Sequence, residues 1–299
     1  MEVNLIGVPI KYGSNIEGVQ YGPDKLREAN IVEIFRENKH TIYDLGNIYV
    51  PKLSQADIYK DHKKMKFLNP VKMVNENLAH AVYCSLNSQH FPFIIGGDHS
   101  LAIGSIAGAS KHFKNLAVIW VDAHGDINSV ESSPSGNIHG MPLAASMGVG
   151  HPSLVNLYYE EAKIQAKNVY IVAARDLDPG EVELIENSDI NLYSIDDIRS
   201  RGLPIILTEI INKLHNSQVD GIHFSFDIDS LDLTLVPGTG TPVADGLNVD
   251  EAKYIIRRLL STKLITSMDF VELNPILDNK EEGTTKLSVE LIKEIASHL

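Results

Sequence analysis

The chain has 299 residues, 43% hydrophobic and 22% charged, an ordinary globular balance that supports a sizeable core and excludes disorder. Its formal net charge of −13 repels polyphosphate and anionic lipid, so neither nucleic acid nor a membrane surface is expected as a partner. The single cysteine, Cys84, excludes an internal disulfide or a thiolate metal cluster, and within a helical stretch it reads as buried and structural.

Residues 3–8 read as a strand. No charged stretch and apolar run precede them, so no signal peptide is expected. No window approaches ~18 uninterrupted apolar residues, so no membrane span is expected either, and the reading is cytoplasmic. Gly22 and Pro23 start a helix to about Glu37, with Leu26, Ile31 and Ile34 at its apolar positions. Residues 41–45 form a second strand, and a polar segment over 51–67 looks like an insertion without a functional reading. Val71, Val74, Leu78 and Val82 give helical spacing over 69–89. A strand over 91–95 ends at Gly96-Gly97, and 100–110 reads as helix. Residues 116–121 are apolar without alternation, as expected of a strand covered on both faces. Strands follow over 168–174, 190–193, 221–228 and 264–271, with helices over 204–215, 249–260 and 282–299. Such alternation implies an α/β fold with a mostly parallel sheet and helices on both faces, read as one domain over 1–299. A (β/α)8 barrel fits the same periodicity.

Ligands of open α/β folds bind beyond the carboxyl ends of the strands. Four polar clusters sit there: Gly-Gly-Asp-His at 96–99, Asp-Ala-His-Gly-Asp at 122–126, Asp-Ile-Asp at 227–229 and Asp-Phe-Val-Glu at 269–272. Asp122, His124 and Asp126 alternate, so an extended backbone puts them on one face; Asp227 and Asp229 repeat the pattern. Any one such aspartate alone is best explained as a helix-capping loop residue. The whole set at strand ends, without lysine or arginine nearby, would repel itself unless a cation sits among it. Four carboxylates exceed the charge of one divalent ion, so two fit better. An oxygen-rich set with two histidines and no sulfur suits Mn²⁺, with Fe²⁺, Co²⁺ or Zn²⁺ as competitors. Such a pair activates water for hydrolysis, and on this ground phosphoesters, amides and guanidines are all open as substrates.

Further motifs run in order along nearly the whole chain: Gly-Val-Pro at 7–9, Gly-Pro at 22–23, Gly-Gly-Asp-His-Ser at 96–100, Val-Asp-Ala-His-Gly-Asp-Ile-Asn at 121–128, Ser-Gly-Asn-Ile-His-Gly at 135–140, Arg-Asp-Leu-Asp-Pro-Gly-Glu at 175–181, Ser-Phe-Asp-Ile-Asp at 225–229, Gly-Thr-Pro at 240–242 and Glu-Leu-Asn-Pro at 272–275. With these the chain resembles the arginases, within the ureohydrolase family that also holds agmatinase and formiminoglutamase. The resemblance implies an open α/β/α sandwich and two Mn²⁺ per subunit. His99, Asp122, Asp126 and Asp227 would hold one ion, and Asp122, His124, Asp227 and Asp229 the other. It implies L-arginine as substrate, with Asn128 and Ser135 on its α-carboxylate, Asn137 beside them, and Asp178 facing its α-ammonium with Glu181 close by. A zwitterion needs neutral donors at one end and a carboxylate at the other. Glu272 would pair with the guanidinium, Thr241 would border it, Asp126 would serve the catalytic centre, and His139 would pass a proton to the departing amine as activated water attacks the guanidinium carbon. Gly125 stands where some arginases have threonine. His223 reads as a core or supporting residue, as does Asp269, while Asp98 and Asp232 fall outside the family's ligand positions. A homo-oligomer, hexamer or trimer, is also implied. The alternatives are agmatinase or another guanidine hydrolase, a one-metal zinc deacetylase, against which the full set of six ligands argues, and a non-catalytic metal-binding homologue.

Overall fold

The computed structural model of the protein describes residues 1–299. In chain order the elements are β1 (Glu2–Val8), α1 (Gly22–Glu28), α2 (Ile31–Glu37), β2 (Thr41–Asn47), α3 (Leu68–Asn87), β3 (Phe91–Gly96), α4 (Ala102–His112), β4 (Leu116–Val121), α5 (Pro142–Ser146), α6 (Pro152–Val155), β5 (Val169–Val172), α7 (Pro179–Glu186), β6 (Asn191–Tyr193), α8 (Ile195–Arg201), α9 (Leu203–Asn216), β7 (Gly221–Asp227), α10 (Val249–Leu260), β8 (Ser267–Val271) and α11 (Gly283–His298).

All eight strands expected from the sequence are present. They lie parallel in one sheet, in the order β2-β1-β3-β8-β7-β4-β5-β6. β2 and β6 are free edges, so the sheet is open and the barrel alternative falls. The central strands β3, β4, β7 and β8 are buried at every residue, which explains their unbroken apolar runs. One core packs Leu5, Phe93, Phe224 and Phe270 against α2, α9, α10 and α11. The other packs Ile6, Ile94 and Trp120 against α3, α4 and α5. The result is a three-layer α/β/α sandwich with the carboxyl ends of β3, β8, β7 and β4 side by side. No helix is long and apolar enough to cross a membrane.

Three expectations need correction. The helix expected over 22–37 is two helices, because Asn30 adopts a left-handed conformation at φ 62°, which asparagine tolerates better than most residues. Cys84 is exposed: on α3 the buried stripe runs through Leu78, Val82, Ser85 and Leu86, and Cys84 falls on the opposite face. The short helices α7 and α8 went unread, although each opens with a capping box, Asp178 with Glu181 and Ser194 with Asp197, that is visible in sequence.

Candidate active site and metal centre

β3 delivers His99, β4 leads to Asp122, β7 ends on Asp227, and β8 leads to Glu272. His99 is wholly buried, stacked on the Trp120 ring at 3.8 Å between centroids. Its Nε2 lies 2.8 Å from Ser225 Oγ. Its Nδ1 faces Oδ2 of Asp122 at 3.0 Å, of Asp227 at 3.1 Å and of Asp126 at 3.2 Å, with none of them in hydrogen-bonding geometry. With Nε2–H donated to Ser225, Nδ1 presents a lone pair to three carboxylates. Such an arrangement repels itself unless a cation lies at its centre, so these residues fit a bound metal. A second group adjoins it: His124 Nδ1 is 3.2 Å from Asp122 Oδ1 and 3.4 Å from Asp229 Oδ2.

The aspartates also cap their own loops. Asp122 Oδ1 accepts from His124 N at 2.7 Å, and Asp227 Oδ1 from Asp229 N at 2.8 Å. Capping and ligation are therefore compatible: Oδ1 of each accepts a loop amide while Oδ2 faces His99, and Asp122 Oδ1 also faces His124. The extended backbone expected over 122–126 is not what brings these groups together. β4 stops at Val121, and Asp126 turns back at φ 51°. Glu272 is also left-handed, at φ 65°. Positions of this kind cost on the order of 1–3 kcal/mol each and cluster at functional sites.

No lysine or arginine lines the cavity above these groups, which measures about 120 Å³. Arg175 lies close behind, but it donates to backbone carbonyls of residues 229–231. Burial, then the charges of Asp229 and Asp122, pushes the Asp227 carboxyl well above its usual range. Burial, then Asp122, pushes Asp126 up. Burial also pulls His99 and His124 down, but the carboxylates around each outweigh it and the net direction is up. Without a cation, protons compensate the buried negative charge; divalent ions would displace them.

Apart from Asp122, which is buried beneath, every expected site residue borders this cavity. The Ile138–Gly140 turn carries His139, whose Nδ1 is 3.4 Å from Glu272 Oε1. That same Oε1 accepts from His99 N at 2.8 Å. Burial lowers the His139 pKa, and Glu272 together with the charges of Asp126 and Asp98 outweighs this, so its net direction is up. Thr241 Oγ1 donates to Asp229 Oδ2 at 3.0 Å. At the other end Asn128 Nδ2 donates to Asp178 Oδ2 at 2.8 Å, and Ser135 Oγ accepts from Asn137 N at 3.2 Å. Glu181 accepts from Ile127 N at 3.0 Å and Asp178 N at 2.9 Å, and burial pushes its carboxyl up to about 7. A Cβ at Gly125 would lie 2.9 Å from Leu177 Cδ2 and 3.0 Å from Glu181 Oε1, so threonine here would displace both.

Ser133 and Asp176 also line the cavity, and Trp120 and Ser225 hold His99. The sequence reading missed all four. Trp120 and Ser225 stand two residues before Asp122 and Asp227, so strand alternation alone would have placed them on the ligand-bearing faces. His223 is buried beneath the site, 2.8 Å from Ser267 Oγ and 2.9 Å from Asp269 Oδ2, a supporting position as expected. Asp98 accepts from Gly13 N at 2.8 Å and Ser14 N at 3.1 Å and so ties down residues 13–14.

The Arginase family profile matches residues 1–297. The arginase of Bacillus subtilis (strain 168) is 43% identical over 98% of this chain and 97% of its own length. The crystal structure of arginase from Bacillus cereus superposes with a TM-score of 0.92 at 41% identity, covering 99% of this chain and 98% of that one. An arginase from Entamoeba histolytica, solved in complex with L-ornithine, gives a TM-score of 0.90 at 33% identity, over 99% of this chain and 97% of that one.

Proposed function

This chain belongs to the arginase family, and from that premise we propose that it hydrolyses the guanidinium group of L-arginine to L-ornithine and urea. The observation that carries the reading is the orphaned Nδ1 of His99 among three carboxylates, at one end of a cavity whose other end offers Asn128, Ser135 and Asp178. His99, Asp122, Asp126 and Asp227 would hold one Mn²⁺, and Asp122, His124, Asp227 and Asp229 the other. The bound pair would supply Lewis acidity and make water nucleophilic near neutral pH.

The chain's own groups do the rest. Glu272, with Oε1 held by the His99 amide, turns its charge to the substrate guanidinium, and Thr241 closes that side. Asp126 orients the attacking water. His139 carries a proton near neutral pH and gives it to the amine of ornithine as the C–N bond breaks. Asn128, Ser135 and Asn137 take the α-carboxylate, while Asp178, backed by Glu181, takes the α-ammonium. Residues 1–299 act as one catalytic domain, in the cytoplasm, within a homo-oligomer that the family resemblance makes a hexamer or trimer.

The test is urea release from L-arginine and from agmatine, after loading with Mn²⁺ and again after EDTA. Manganese-dependent urea from L-arginine alone is expected. Urea from agmatine alone would overturn the assignments of Asn128, Ser135 and Asp178, and urea from neither would overturn the reading itself.

A further inference from the structure

Segment 51–67 is packed against the site. Tyr12 OH donates to Pro51 O at 2.7 Å and accepts from Leu53 N at 2.8 Å, and the Phe67 ring sits 4.8 Å from the Tyr12 ring. The end of the segment lies along the loop that carries Ser135 and Asn137. Lys66 N donates to Gly136 O at 3.0 Å. Gly136 has φ 70°, and a Cβ there would fall 2.0 Å from Lys64 O, so only glycine permits this approach. The clasp places Lys66 Nζ 2.7 Å from Asn137 Oδ1. Lys66 has no carboxylate within ion-pair distance. An ammonium can only donate, so the atom it meets is the amide oxygen, and the Asn137 NH2 group is turned elsewhere as a donor. Asn137 lines the cavity, and the cavity itself contains no lysine or arginine.

We propose that Lys66 is a positioning residue that sets substrate specificity: it fixes the amide of Asn137 and lends positive charge to the end of the cavity that selects guanidines bearing a carboxylate. This rests on the arginase reading above. A carboxylate placed there gains a charge-assisted interaction that the rest of the acidic cavity does not supply. A diamine or guanidine without one gains nothing and meets an added repulsion.

The test uses the Mn²⁺-loaded full chain and calorimetric binding of L-ornithine against 1,4-diaminobutane, the same molecule without its carboxylate. Lys66→Met and Lys66→Gln should weaken L-ornithine about tenfold, the order of one charge-assisted hydrogen bond, and leave 1,4-diaminobutane bound at least as tightly as before. KM for L-arginine should rise by a like factor with kcat within about twofold, and Lys66→Arg should restore most of both. Equal weakening of the two ligands, no weakening of L-ornithine, or a fall in kcat at constant KM would overturn the proposal. Wild-type protein that makes no urea from L-arginine overturns the arginase reading instead, and the ratio of the two binding constants still reports on Lys66.

Discussion

At the scale of single residues, the site depends on side chains that serve twice. Asp122 and Asp227 each spend one oxygen on a loop amide and turn the other toward His99, so loop and ligand geometry are set together. Glu272 Oε1 likewise meets both the His99 amide and His139 Nδ1. His139 belongs to no ligand group and is the side chain best placed to move a proton. His139→Asn keeps a polar group of similar reach but cannot carry that proton. Turnover on L-arginine should fall about 10²–10⁴-fold, with bound manganese per chain unchanged when measured by atomic emission. Unchanged turnover would remove His139 from the mechanism, and lost manganese would move it into the ligand shell. The residues proposed as ligands were legible in sequence because several aspartates and histidines follow apolar runs together, with no lysine or arginine among them. Lys66 was not legible: its meaning depends on a clasp between segments about seventy residues apart, and no local pattern encodes that distance.

At the scale of elements, strands and long helices announced themselves through apolar runs and period, while short helices depended on their caps. The capping box of α7 shows how an element's start can belong to the site. Asp178 opens the helix, and Glu181 returns to accept its backbone N–H, so the two carboxylates assigned to the substrate ammonium are held by the helix they begin. Glu181 is only 3% exposed. Burial pushes its carboxyl up to about 7, against about 4.3 in an unfolded chain. Between those values the folded state binds more protons than the unfolded one, so stability falls as pH rises. The neutral form is free of the cost below about pH 4.3, and the full cost, up to about 4 kcal/mol, is present above pH 7. Glu181→Gln cannot ionise but replaces one backbone acceptor with a donor, a loss of roughly 1–3 kcal/mol. Urea denaturation of EDTA-treated proteins should therefore find wild type more stable at pH 5, with the gap narrowing toward pH 8. A gap independent of pH would mean that Glu181 ionises normally.

At the scale of the whole molecule, two large apolar cores hold the sheet from either side, and the acidic centre lies at the carboxyl edge between them. The fold therefore does not need the metal to form its layers, but in its absence the sheet carries buried, like-charged groups at the ends of its central strands. Within a chain of net charge −13, no lysine or arginine in the cavity offsets them, and only protons taken up by the carboxylates and histidines do. Metal binding should thus act as a ligand-linked stabilisation. An ion bound at one hundred times its dissociation constant adds about 2.7 kcal/mol, or roughly 5 °C in melting temperature for a chain of this size. EDTA should lower the calorimetric melting temperature by that order while far-ultraviolet circular dichroism at 20 °C stays the same, and Mn²⁺ should restore it in proportion to the logarithm of its concentration. Ca²⁺, which takes six to eight oxygens and no imidazole, should restore less, because two of the proposed ligands, His99 and His124, are histidines. A melting temperature indifferent to both EDTA and Mn²⁺ would mean that the carboxylates remain protonated in the folded protein and that the centre is not a metal site. Loss of the far-ultraviolet signal on chelation would mean instead that the cores cannot stand without the ion.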